Sequence, residues 1–124
     1  MQDEPKPSEL TRAVADFLRN DIAPLVSGHH AFKLRVAINA LDLVTRQLTL
    51  AQEGDAAEIA RLAQLLGREG TLLELNQALA ERIASGEVDL QTPGLSEHLW
   101  RTTMDKLAVD QPNYGSYKRE LGQI

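Results

Sequence analysis

The chain has 124 residues, which is enough for one domain whose core needs no metal or disulfide to hold it together. It contains no Cys, and this excludes disulfides, thiolate nucleophiles and thiolate metal sites. The net charge is −5, with nine acidic against three basic side chains in residues 53–97, so we expect neither nucleic acid nor a membrane as a partner.

The first predicted helix covers residues 8–23. Ser8 is its expected N-cap, and apolar residues recur at helical spacing from Leu10 to Ile22. We expect the helix to end before Pro24, because the residue that precedes a proline is pushed out of the α region.

The second predicted helix covers 29–53 and stops at Gly54, since glycine readily takes the left-handed conformation that ends many helices. Asp55, with an acidic residue three positions later, is then typical of an N-cap. This pattern predicts a third helix over 56–66, which Gly67 closes.

The fourth predicted helix covers 71–85 and opens with Thr71 and Glu74, which have the spacing of a capping box. The fifth covers 93–109. Thr92-Pro93 places an N-cap before a proline at the first helical position, where the missing N–H costs nothing.

After the fifth helix the residues show no clear period and predict an irregular C-terminal tail. Since no segment has the period-two alternation of a strand, the sequence predicts an all-α bundle of about five helices. We expect a single domain over 1–124, with 1–7 and 115–124 flexible or loosely docked. The polar first residues are unlike a signal or transit peptide and no apolar run could span a membrane, so we expect a cytoplasmic protein.

The second helix carries an unusually wide apolar sector of roughly 220°, against about 100° for an ordinary surface helix. We therefore expect it to contact neighbours on at least two sides or to be buried in a homodimer. What remains is one polar row with spacings of four, three and four residues. Its members are Arg35, Asn39, Asp42 and Arg46.

Two interpretations of this polar row stay open. In the first it is a solvated seam of paired side chains. In the second it lines a pocket for a small anionic metabolite. Arg35 would then bind a carboxylate or phosphate and Asn39 would orient it. Asp42 would neutralise Arg46.

The start of the second helix is a candidate anion site. His29, His30 and Lys33 lie there, close to backbone N–H groups that have no partner within the helix. Two adjacent histidines at a helix start are more typical of exposed capping residues, so both interpretations remain.

The last quarter of the chain holds a candidate partner-binding set. Trp100, Tyr114 and Tyr117 either anchor the tail onto the bundle or form an aromatic patch, since Trp and Tyr are enriched where proteins bind each other.

No metal-ligand set, cofactor motif or catalytic frame is visible in the sequence. The three histidines are His29, His30 and His98, and no pair of them has the spacing that chelates one ion on a helix. No motif positions a nucleophile beside a base. We therefore predict no catalytic residue, no metal and no cofactor, and favour a binding role over an enzyme.

Short stretches of the chain resemble a bacterial family of small helical domains of unknown function, over roughly residues 5–115. They are Pro7–Leu10, Arg35–Leu41 with the preceding His30–Phe32, Leu65–Gly67 and Asp105–Tyr114. The recurrent Arg and Asn of that family fall on Arg35 and Asn39, which the polar row already contains.

That family lies beside, or is joined to the C-terminal end of, kinases similar to aminoglycoside and choline phosphotransferases, often near genes of acyl-CoA metabolism. The resemblance implies an accessory or regulatory role and supplies no catalytic residues. We therefore predict a protein-interaction domain that acts with a phosphotransferase-like partner or as a homodimer. The alternative is a domain that binds a small anionic metabolite through the polar row.

Overall fold

The computed structural model describes residues 3–124, and every regular element within them is helical. The five α-helices are α1 Pro7–Phe17, α2 Gly28–Leu66, α3 Leu72–Ser85, α4 Leu95–Asp110 and α5 Gly115–Glu120. The prediction of an all-α fold is confirmed. Of the segment 1–7, which we expected to be loosely held, Met1 and Gln2 lie outside the described residues.

α1 is shorter than predicted and is followed by tighter and looser helical turns. Lys6, not Ser8, is its N-cap, and the Lys6 N–H donates to Glu9 Oε2 over 2.8 Å. The α-helix gives way to a π turn over Leu18–Ile22 and a 3-10 turn over Ala23–Leu25. Pro24 has no N–H with which to continue the α pattern, which explains why regular α-helix does not reach residue 23.

α2 is one continuous helix of 39 residues, so the predicted stop at Gly54 and the separate helix over 56–66 are wrong. Gly54 is not among the glycines with a positive φ. A glycine inside a helix costs about 1 kcal/mol relative to Ala, which the good helix formers on both sides of it offset. Asp55 is consequently an interior residue, not an N-cap. Gly67, with φ of 65°, follows the end of the helix as predicted.

α3 begins and ends as predicted. Thr71 Oγ1 accepts a hydrogen bond from the Glu74 N–H over 3.2 Å, and Glu74 Oε2 accepts one from the Thr71 N–H over 2.9 Å. These two bonds complete the capping box. The Thr71 N–H, followed by the Thr71 hydroxyl, stabilises the Glu74 carboxylate and lowers its pKa. Gly86 ends the helix in the left-handed conformation, with φ of 81°.

The last two helices correct the prediction in detail. α4 starts two residues late because its N-cap is Gly94, with φ of 89°. Thr92 does not cap it. Thr92 Oγ1 accepts a hydrogen bond from the Asp89 N–H over 3.0 Å and stabilises the preceding turn. The tail is not irregular throughout, since it contains the six-residue α5.

The chain divides into two compact units, one ending at Ala51 and one starting at Gln52. Unit 1 contains α1 and the first part of α2, and its buried side chains are Ala15, Ile38 and Thr45. Unit 2 has an apolar core drawn from α2, α3, α4 and the loop before α4. This core consists of Leu62, Leu66, Leu75, Leu79, Val88 and Leu95. The single domain over 1–124 stays a prediction.

Candidate functional site

α1 and the first part of α2 pair as an antiparallel hairpin within unit 1. The Thr11 and Thr45 hydroxyls lie 2.6 Å apart and share a hydrogen bond between the two helices. Each hydroxyl also lies within hydrogen-bond distance of a carbonyl of its own helix, Ser8 at 3.2 Å and Leu41 at 2.9 Å. Farther along α1, Arg19 Nη2 donates to Asp42 Oδ2 over 2.6 Å. As the residue number rises on α1, that of its partner falls on α2, so the two helices run in opposite directions.

The residues at which α1 and α2 face each other show which side chains lie on each of the two open sides of the hairpin. Ala15 on α1 and Thr45 on α2 are buried. A helix turns by about 100° per residue, so in an antiparallel pair the residues just before each facing residue lie on the same side of the pair. Val14 and Val44 are these residues. The residues just after Ala15 and Thr45 lie on the other side.

The side that holds Val14 and Val44 is apolar and open to solvent. Five large apolar side chains lie there, each between 42% and 52% exposed. They are Leu10, Val14, Phe17, Val44 and Leu48, and we call this surface the hairpin face. The wide apolar sector predicted for α2 is therefore present, but the chain leaves a large part of it uncovered.

The opposite side of the hairpin is polar and holds the predicted row. Its members are Arg35 and Asn39, which are exposed, and Asp42 and Arg46, which are half-buried. Asp42 bonds Arg19 of α1, and Arg19 also bonds Asp16 over 2.9 Å. Sequence reasoning missed Arg19, because no local pattern relates residues that lie 23 positions apart.

This polar network consists of ion pairs between surface side chains. The hydrogen bond and the charge of Asp42 raise the pKa of Arg19 further above its usual value, so the guanidinium stays cationic. A closed anion pocket would need a shielded Asn39, and Asn39 is exposed. The exposure favours the solvated seam, and metabolite binding by the row stays a prediction.

The other predicted binding residues lie at the surface or near it. The rings of His29 and His30 are tilted by 50° with centroids 6.2 Å apart, and both residues are exposed, as is Lys33. Trp100 and Tyr114 are about half exposed, whereas Tyr117 is partly buried. Anion binding at the first set and partner binding at the second stay predictions.

Unit 2 buries one histidine of α4. His98 is 2% exposed, and its Nδ1 accepts a hydrogen bond from Arg61 Nε over 3.3 Å. Arg61 Nη2 also donates to Thr102 Oγ1 over 3.3 Å. Burial, and then the charge of Arg61, lower the pKa of His98 below 6.5, so the ring is neutral with its proton on Nε2. The cluster joins α2 to α4.

Two further findings bear on the kind of site that residues 3–124 provide. Within this range, no three His, Asp or Glu side chains come together where they could hold a metal ion. No helix in the same range has both the length and the apolar character needed to cross a membrane.

Comparison with known proteins identifies the family. The family described as a domain of unknown function, DUF6285, matches residues 24–114, which are 91 of the 124 residues. The chain belongs to the DUF6285 family. The match includes α2, α3 and α4 but begins after α1, so the likeness noted at Pro7–Leu10 lies outside it. No curated protein and no solved structure matches the chain significantly.

The DUF6285 match divides the hairpin face. Val44 and Leu48 of α2 lie inside the matched residues, whereas Leu10, Val14 and Phe17 of α1 lie outside them. The face therefore combines a helix that belongs to the family match with one that precedes it.

Proposed function

We propose that this member of the DUF6285 family is a protein-interaction domain that binds its partner through the hairpin face. The observation that carries the proposal is the exposure of five large apolar side chains on one side of a two-helix hairpin. The largest apolar patch on the surface of a soluble protein is often a binding site.

The size of the hairpin face supports this role. At about 200 Å² for a fully exposed large apolar residue, its five members expose roughly 450 Å². Covering that surface would contribute roughly 11 kcal/mol before the costs of association, at about 25 cal/mol per Å². The buried side chains of unit 1 are Ala15, Ile38 and Thr45, which form a small core for a two-helix hairpin. A partner bound to the hairpin face would therefore also stabilise the hairpin.

Two kinds of protein partner follow from the sequence analysis. The family resemblance supports a phosphotransferase-like enzyme, beside which the domain would have an accessory or regulatory role. The wide apolar sector of α2 supports a second copy of the chain. With either partner, this chain acts by binding a protein and catalyses no reaction itself. The polar row stays in solvent in both cases.

Site-specific photo-crosslinking tests the proposed function. A benzophenone amino acid replaces Val44 on the hairpin face or, as a matched control, Val36. Both are exposed valines of α2, at 45% and 53%. Val36 lies nine residues before the buried Thr45, and at about 100° per residue this spacing places it on the side of α2 away from α1. Irradiation of cells that make the protein should give a crosslinked protein adduct at position 44 and little at position 36. If position 44 yields no adduct, the proposed function is wrong.

A further inference from the structure

We propose, resting on the function above, that the occupant of the hairpin face is a second copy of this chain. The two hairpins pack face to face and antiparallel, with α1 against its copy and α2 against its copy. The product is a four-helix bundle, in which each helix has antiparallel neighbours.

The positions of the two valines suit a two-fold axis. Val14 lies three residues after Thr11 on α1, and Val44 lies one residue before Thr45 on α2, so the bonded threonines place both valines within about 3 Å of the same height. A two-fold axis that crosses both helices at this height places each valine opposite the same valine of the second chain. Symmetric dimers require such a self-complementary surface.

Apolar side chains extend to both sides of this axis. On α1, Leu10 precedes Val14 by four residues and Phe17 follows it by three, which is the spacing of a seam between antiparallel helices. On α2, Ala37, Val44 and Ala51 are seven residues apart, and Leu48 lies between the last two. The same heptad spacing on both helices allows both to pack against their copies at once.

Charges just before α1 and in the π turn that follows it favour the antiparallel arrangement. Lys6 lies eight residues before Val14, and Asp21 lies seven residues after it. Rotation about the axis therefore brings Lys6 of each copy towards Asp21 of the other. Both residues are exposed, and neither takes part in the ion pairs of residues 3–124.

The area is also adequate for a dimer. Two hairpin faces would bury roughly 900 Å² of apolar surface, and apolar atoms form about 60% of a typical interface. The complete interface then approaches roughly 1,500 Å², within the range of stable protein complexes.

Sedimentation equilibrium of the full chain tests the proposal. The wild type should have twice the chain mass of 13.7 kDa at about 100 µM. Val44→Glu places two like charges at the axis and should raise the dissociation constant at least about a hundredfold. Val36→Glu, the matched control on the other side of α2, should leave it within about twofold.

A second variant separates loss of the dimer from loss of the fold. Val14→Glu changes a 49% exposed residue on the other helix and should also give a monomer. Far-ultraviolet circular dichroism at high dilution, where the wild type is monomeric too, should show the same helix content for all variants.

Charge exchange tests the antiparallel pairing itself. Lys6→Glu and Asp21→Lys should each weaken the dimer about threefold to tenfold, because each turns two attractive pairs into repulsive ones. The double variant should restore the wild-type dissociation constant within about twofold. Neither change opposes the α1 dipole, which favours an acid at its start and a base at its end.

The outcomes distinguish this inference from the proposed function. A wild-type chain that sediments as a monomer, equal losses for Val44→Glu and Val36→Glu, or no rescue by the charge exchange each overturn the dimer. If position 44 then crosslinks to a different protein, the interaction domain stands with another occupant. If position 44 crosslinks to nothing, both proposals fail.

Discussion

Arg61 and His98 form a hydrogen-bonded pair inside unit 2, in which Arg61 Nε donates to His98 Nδ1 over 3.3 Å. The two residues lie on α2 and α4, 37 positions apart in the chain. A cationic guanidinium beside a buried imidazole can donate to the ring only while that nitrogen is unprotonated. The pair therefore links the packing of two helices to the protonation state of one histidine.

This pair predicts that the protein loses stability as the pH falls below neutral. The unfolded chain protonates His98 near pH 6.5, whereas burial and Arg61 give the folded chain a lower pKa. The stabilisation is complete above pH 6.5 and is lost as the pH falls from there towards the folded pKa. Between these two pKa values the free energy of unfolding should drop by up to about 1.4 kcal/mol per pH unit.

Urea unfolding at pH 7.5 and pH 5.5 measures this loss of stability. Both values lie above the pH range in which the titration of carboxylates dominates the pH dependence of stability. His98→Gln is less stable at both values because it disturbs the buried pair, but its pH dependence should be smaller than that of the wild type. Equal pH dependence in the two proteins would show that His98 does not control it.

The core of unit 2 predicts a large difference between two leucines of α3. Leu75 is fully buried, whereas Leu73, two residues away, is 69% exposed. Leu75→Ala should lower the free energy of unfolding by about 2–5 kcal/mol, because it removes buried contacts and leaves a cavity. Leu73→Ala should change it by less than about 0.5 kcal/mol. Thermal or urea unfolding of the two variants provides the comparison, and similar losses would contradict this assignment of the core.

The capping box of α3 predicts a smaller, local effect. Thr71→Ala removes the acceptor of the Glu74 N–H and should cost about 1 kcal/mol. Thr103 is the matched control, since its hydroxyl bonds the Leu99 carbonyl within α4 and caps no helix end. Thr103→Ala should change the stability by less than half as much in the same urea titration. A loss at Thr103 equal to that at Thr71 would count against the cap.

Local patterns explain what the sequence could predict. Thr71 and Glu74 are three residues apart, so the chemistry of their cap is complete within one turn. The polar row on α2 is likewise visible in the sequence, since it depends only on helical spacing. The bond between Arg19 and Asp42 could not be foreseen, because their contact depends on how α1 packs against α2.

The uncovered hairpin face shows a second limit of sequence reasoning. Periodicity shows that Val44 and Leu48 lie on an apolar sector of α2, but it does not show which neighbour covers them. We expected contacts on two sides or a homodimer, and the structure leaves both residues nearly half exposed. Apolar patterns identify a surface to be buried, whereas the tertiary structure decides whether the chain itself buries it.

Gly54 gives the last prediction, because it is the residue at which the sequence pattern wrongly predicts a helix end. Gly54 lies inside α2 without a positive φ, and a methyl group on its Cα would meet no atom within 4 Å. Gly54→Ala should therefore raise the free energy of unfolding by about 0.5–1 kcal/mol, since Ala has less conformational freedom to lose on folding.

Gly86 provides the opposite case for that measurement. It ends α3 with φ of 81°, which a residue with a Cβ adopts only with strain, even though a methyl group there would also meet no atom within 4 Å. Gly86→Ala should lower the free energy of unfolding by about 1 kcal/mol. Opposite signs for the two changes would show that α2 runs unbroken through residue 54. A loss of stability at Gly54 comparable to that at Gly86 would mean that the chain turns there, as the sequence pattern indicates.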